Sequence, residues 1–167
     1  LRNLGGGVFA PKKDFFVADV TKKDDGSAWP YPGPFMDAAD VNGDGRIDLA
    51  IPAGKRVRFL LGDGAGGFSL VPLAQSPLAT GIVYAVALGD MDGDADMDVV
   101  CTRLPTTGPL QEGLNLFFNQ ADGTDPVLLK FGPVVPYLVG WGVGYAPPGL
   151  SLADLEGDGD LDVAWST

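Results

Sequence analysis

Carboxylates spaced two residues apart, with glycines between them, occur at three places in this sequence: D-V-N-G-D-G-R-I-D from Asp40 to Asp48, D-M-D-G-D-A-D-M-D from Asp90 to Asp98, and D-L-E-G-D-G-D-L-D from Asp154 to Asp162. Oxygen side chains fall at positions 1, 3, 5 and 9 of each stretch. That spacing suits a hard cation, which gathers roughly six to eight oxygens inside a tightly wound loop. The side chains of Asp40, Asn42, Asp44 and Asp48 form one candidate calcium set. Asp90, Asp92, Asp94 and Asp98 form a second, and Asp154, Glu156, Asp158 and Asp162 a third. At position 7 such loops use the backbone carbonyl, so Arg46, Asp96 and Asp160 contribute main chain and are free to aim their side chains elsewhere.

An EF-hand loop opens in the same way but places a bidentate Glu at position 12, between two helices. Here that position holds Ile51, Cys101 and Trp165, none of which coordinates a hard metal. The flanks alternate with period two: Met36 and Ala38 before the first loop with Leu49 and Ile51 after it, then Val86, Leu88, Val99 and Cys101, then Leu150, Leu152, Val163 and Trp165. Each loop is therefore expected to join two short strands. Successive loops start 50 and 64 residues apart, which makes the chain a repeat protein. Another part of the unit also recurs. Leu60 to Phe68 (L-L-G-D-G-A-G-G-F) lines up with Leu1 to Phe9 (L-R-N-L-G-G-G-V-F), and more loosely with Leu116 to Thr124.

A strand, a D-x-[DN]-x-D-G-x-x-D loop, a second strand and then a Gly-rich turn ending in Phe resemble the FG-GAP/VCBS repeat of integrin α-subunit heads and many secreted microbial proteins. The resemblance implies a β-propeller in which each unit supplies a four-stranded blade and the calcium loop caps its first hairpin. Composition agrees on an all-β class, since 25 Gly and 14 Pro punctuate short strands and no apolar run is periodic enough for an ordinary helix. The expected division is late strands of one blade plus a connection over 1–34, a blade over 35–82, a blade over 83–149, and early strands of a further blade over 150–167. Propellers close with roughly four to eight blades, so about three units do not make a ring. Read across its two ends, the chain spaces its outer loops by 53 residues, close to the internal spacings. The expected partners are further blades of a longer chain, or other copies of the chain joined by strand addition.

The net charge is −11, from 22 acidic and 11 basic residues, and eleven of the acids sit at side-chain ligand positions. Three bound Ca²⁺ ions would cut the charge to −5, and their removal would leave carboxylates repelling one another, so occupancy should couple to folding. No basic patch supports a nucleic-acid partner. With no histidine, the usual general base and every His-based triad are missing, and the conspicuous carboxylate pairs are committed to the loops; the reading is non-catalytic. Cys101 aligns with Ile51 and Trp165 and reads as a small core residue. No apolar stretch is long enough to span a membrane, and modest-affinity calcium loops fill where calcium is plentiful, so the expected location is extracellular, secreted or at the cell surface.

Three functions fit this pattern. The first is a calcium-stabilised scaffold or adhesion and assembly segment. The second is a lectin-like propeller binding glycans or extracellular proteins through Trp29, Tyr31, Tyr84, Trp141 and Tyr145, which sit beside Gly and Pro on connections at the face opposite the loops. The third is an auxiliary propeller of a polysaccharide-active enzyme such as a lyase. The first requires only the loops and the unit count.

Overall fold

Short apolar runs broken by glycine-rich turns give strands and hairpins throughout the computed structural model, which describes residues 3–15, 35–104, 113–121, 125, 128–138 and 149–165. In chain order the strands are β1 (Asn3–Gly5), β2 (Val8–Phe9), β3 (Asp37–Ala39), β4 (Asp48–Ala53), β5 (Arg56–Gly62) and β6 (Phe68–Leu70), then β7 (Ile82–Gly89), β8 (Asp98–Leu104), β9 (Gly113–Phe117), β10 (Val135–Leu138), β11 (Leu150–Ala153) and β12 (Asp162–Trp165). A single 3₁₀ turn at Leu73–Gln75 is the only helical element among the described residues. The class is all-β.

Two four-stranded antiparallel meanders, β3-β4-β5-β6 and β7-β8-β9-β10, are propeller-like blades, and β11-β12 repeats the first hairpin of each. Each carboxylate loop joins the first strand of its unit to the second: 40–47 between β3 and β4, 90–97 between β7 and β8, 154–161 between β11 and β12. The separate hairpin β1-β2 pairs Asn3 with Phe9, as Gly62 pairs with Phe68 between β5 and β6. The alignment of Leu1–Phe9 with Leu60–Phe68 is thus reproduced in the strand pairing.

The looser alignment of Leu116 with Leu60 is off by one residue. Leu49 pairs with Leu60, whereas its counterpart Val99 pairs with Phe117, so Gly62 corresponds to Asn119. The partner equivalent to Phe68 is accordingly Phe131, bridged to Asn119, and not Thr124. Extra residues between Asn119 and Phe131 hide this match in the sequence, while the ladder preserves it.

Packing follows the period-two pleat. In β8, Val99 and Cys101 face the first sheet and, with Val86 of β7, pack against Ala50, Val57 and Phe59. Val100 faces the other way and packs with Leu114, Leu116, Leu152 and Val163. With both faces covered, the first five residues of β8 are buried. Phe59 stacks on Phe131 at 5.3 Å between ring centroids, which draws the long Asn119–Phe131 connection onto the first sheet. Backbone and side-chain bonds also link the sheets: Val86 N–H donates to Phe35 O at 3.1 Å and Leu88 N–H to Asp37 Oδ2 at 2.9 Å.

The alternation at the first loop marks a strand but not a buried face. Met36 is 56 % exposed, Ala38 is exposed, and Leu49 and Ile51 are half-buried. The same face of the second sheet packs on the first, and that of β11-β12 packs on the second. Before the first sheet, the described residues supply only the small β1-β2 hairpin and the segment to Phe15, whose ring meets Phe68 edge-on at 5.2 Å.

Candidate metal centre

All three loops are wired alike. The position-1 carboxylate accepts from the amides of positions 5 and 6. Asp40 takes Asp44 N–H at 3.0 Å and Gly45 N–H at 2.7 Å; Asp90 takes Asp94 N–H at 3.1 Å and Ala95 N–H at 2.9 Å; Asp154 takes Asp158 N–H at 3.2 Å and Gly159 N–H at 3.0 Å. The position-5 carboxylate accepts from position 7: Asp44 from Arg46 at 2.9 Å, Asp94 from Asp96 at 2.9 Å, Asp158 from Asp160 at 3.0 Å. Winding this tightly needs left-handed backbone at positions 4 and 6. Glycine fills both in the outer loops, but position 6 of the middle loop is Ala95 at φ 74°, the one described non-glycine residue with positive φ.

The position-9 carboxylate closes each loop. Asp48 accepts from Val41 N–H at 3.1 Å and, across the sheet, from Gly62 N–H at 2.8 Å. Asp98 accepts from Met91 N–H and Asn119 N–H, both at 2.8 Å. Each carboxylate is fully buried; Asp48 ties its loop to β5, and Asp98 ties its loop to Asn119, two residues past the end of β9. In the third unit, Asp162 accepts from Leu155 N–H at 2.9 Å through Oδ2. Asn119 carries the wiring further, donating from Nδ2 to Val41 O at 3.0 Å and to Met97 O at 3.3 Å, so one side chain touches both the first and the second loop.

Burial pushes the Asp48 and Asp98 carboxyls above the usual range against the pull of their amide donors, and the neighbouring loop carboxylates push the same way. Burial, with Asp94, Asp90 and Asp92 nearby, likewise raises Asp96. For Asp90, burial acts upward, but the amides of Ala95, Gly93 and Asp94 outweigh it and hold the carboxyl low. A bound cation is the general remedy for carboxylates crowded in this way. The middle loop is the most convergent. Among the described residues, only Asp90, Asp92 and Asp98 each bring an oxygen within 4.8 Å of the other two. A carboxylate offers about four lone-pair sites, so an oxygen that accepts an amide retains capacity for a metal. The donor set is all oxygen and suits calcium.

The first loop differs in charge. The Arg46 side chain turns back onto Asp44, reaching Oδ2 at 2.6 Å through Nη2 and 3.1 Å through Nε, and holds that carboxyl low. With an Asn at position 3 as well, this loop carries its own partial counterion. The side chains of the third loop are exposed at Asp154, Glu156 and Asp158.

Of the aromatic candidates, Tyr84 lies within β7, half-buried where the register against β8 slips between Val83 and Val86. Trp29, Tyr31, Trp141 and Tyr145 fall outside the described residues. Asn119 and Gly62 escaped the sequence reading because their role is that of a backbone amide. Only the strand register, counted from the loop, points to them.

No helix among the described residues is long and apolar enough to cross a membrane. Comparison with curated proteins and with solved structures gives no match. Residues 40–101, which run from the first loop through the second and into β8, match the family model described as FG-GAP-like repeat. The loop-bearing hairpins of this segment, its meander of strands and that match together place residues 40–101 in the FG-GAP-like repeat family.

Proposed function

We propose that this chain is a non-catalytic, calcium-stabilised scaffold and assembly segment that works outside the cell. The observation that carries the reading is the common wiring of the three loops, with Asp90, Asp92 and Asp98 converging in the middle one. Side-chain oxygens of Asp40, Asn42, Asp44 and Asp48 would hold one ion, with the carbonyl of Arg46. Asp90, Asp92, Asp94 and Asp98, with the carbonyl of Asp96, would hold a second. Asp154, Glu156, Asp158 and Asp162, with the carbonyl of Asp160, would hold a third. The bound ion supplies positive charge at a hairpin tip and nothing else. The protein's part is to wind the loop, fix the position-1 carboxylate on two amides and anchor the position-9 carboxylate to the next strand.

Affinities of about 10⁻⁴ to 10⁻³ M, usual for extracellular calcium modules, favour a calcium-rich compartment. The units divide as a partial blade over 1–34, blades over 35–82 and 83–149, and a further partial blade over 150–167. Thermal unfolding with calcium and with EDTA tests the reading. One site held at about 100 times its Kd adds about 2.7 kcal/mol, so chelation should lower the Tm by at least about 5 °C, and restored calcium should reverse the change. An unchanged Tm would overturn the calcium reading.

A further inference from the structure

Asn119 is only 3 % exposed, and every polar group of its side chain is engaged. Its Nδ2 donates to Val41 O at 3.0 Å and to Met97 O at 3.3 Å, and its Oδ1 accepts from Ala121 N–H at 3.1 Å. An amide has two hydrogens on nitrogen and each of the two carbonyls takes one, which fixes the orientation of the side chain. Val41 is position 2 of the first loop and Met97 is position 8 of the second. Both ends of this link continue into a closing carboxylate: Asp98 Oδ1 accepts from Asn119 N–H, and Asp48 Oδ2 accepts from Val41 N–H. The two carboxylates are thus joined through buried groups in the order Asp98, Asn119, Val41, Asp48. The first unit has no such device. Gly62 stands at the equivalent place, where a Cβ would run into Ile47 O, the position-8 carbonyl of its own loop.

We propose that Asn119 makes calcium binding at the first and second loops cooperative, each ion raising the affinity of the other loop. The inference rests on the calcium reading of the three loops and adds to it a coupling between two of them. Asn119 can donate to both carbonyls only while the start of the first loop and the end of the second hold their wound positions. Without ions the carboxylates of each loop repel one another and loosen it. An ion in either loop fixes one carbonyl and, with it, the Asn119 side chain. The other loop then closes onto a donor already in place, so less ordering remains for its own ion to impose, and by linkage the effect is the same in both directions. Charge acts the opposite way, since one ion weakens the negative field that draws the next. That opposition is screened beyond about 8 Å at physiological salt, whereas the buried hydrogen bonds are not. Asn119 makes no bond to the third loop, whose aspartates accept only from amides of their own loop among the described residues.

Calcium titration followed by amide NMR reads the loops one at a time, through the position-6 residues Gly45, Ala95 and Gly159. In about 0.15 M salt, Asp40→Ala, which empties the first loop, should weaken calcium at the second about threefold. Asp90→Ala should weaken calcium at the first loop by the same factor, and the third loop should keep its midpoint in both variants. Asn119→Ala retains the backbone bond to Asp98 and removes both side-chain donors; added to either variant, it should abolish the cross effect. An Asn119 that only stabilises the fold would lower affinity at both loops and leave the cross effects in place, which would overturn the inference. Where Asn119→Ala does not fold, the Asn119 side-chain NH₂ resonances in the two aspartate variants decide. They should shift on filling of either loop, and a response to one loop alone would overturn the inference. Two loops that bind calcium with no cross effect would also overturn it and leave the calcium reading standing. No calcium-induced shift at any loop would sink both.

Discussion

Ala95 sits at φ 74° in a loop whose two counterparts use glycine at the same place. An L-residue there costs about 1 kcal/mol or more, since its Cβ crowds the following carbonyl. Part of that strain is offset because alanine leaves the unfolded chain less freedom than glycine. Ala95→Gly should stabilise the chelated protein by about 0.5 kcal/mol and leave calcium binding at the middle loop equal or tighter, read by urea unfolding and calcium titration. Weaker binding would show that the loop does not need this geometry. Cys101 is fully buried against the first sheet, and burial pushes its thiol up to about 12 even though the Asn115 amide pulls it down. Almost no thiolate exists at neutral pH, so Ellman's reagent should leave the native protein unmodified and titrate one thiol once it is unfolded. Fast native labelling would mean that β8 opens readily. Both positions were legible in sequence: Ala95 as a departure from the glycine of its loop, Cys101 through its alignment with Ile51 and Trp165.

Within a unit, the position-9 aspartate has two tasks that can be separated. Asp92 and Asp98 are both candidate calcium ligands, but only Asp98 holds the amides of Met91 and Asn119 in a buried setting. Leaving buried donors unpaired costs about 1–3 kcal/mol each, and relief from burying a charge offsets some of it. In EDTA, Asp98→Ala should therefore lose about 2 kcal/mol of stability by urea unfolding, whereas Asp92→Ala should be neutral or slightly stabilising. Equal effects of the two substitutions would make Asp98 a ligand and nothing more. The sequence displayed the loop half of this arrangement, because one nine-residue stretch contains both ends of it. The strand half depends on a partner 14 residues away in the first unit and 21 in the second. No fixed motif spans a separation that changes, so Gly62 and Asn119 emerge only when the ladder is laid out.

Across the molecule, the period-two flanks announced strands and the Gly-rich turns announced hairpins. Which face of each sheet is buried was not written in the alternation. A sheet between two others buries both faces, as Val99 and Val100 do on opposite sides of β8, whereas Met36 has the same pattern and stays exposed because nothing described covers it. Burial is set by a unit's place in the stack, and the local sequence of a repeat does not encode that place.

The tie from Asp48 to Gly62 and from Asp98 to Asn119 also governs where the repeat can grow. The second unit is the longer of the two, and its additional residues lie mainly between β8 and β9 and between Asn119 and Phe131, on connections whose ends are pinned by ladder pairs and by the carboxylate. The pinned points keep their positions while the chain between them lengthens. A lineage of such units can therefore diversify its rims by insertion while the nine-residue acidic loop keeps its length, so novelty is channelled to the connections and one aspartate per unit keeps the loop in step with the ladder.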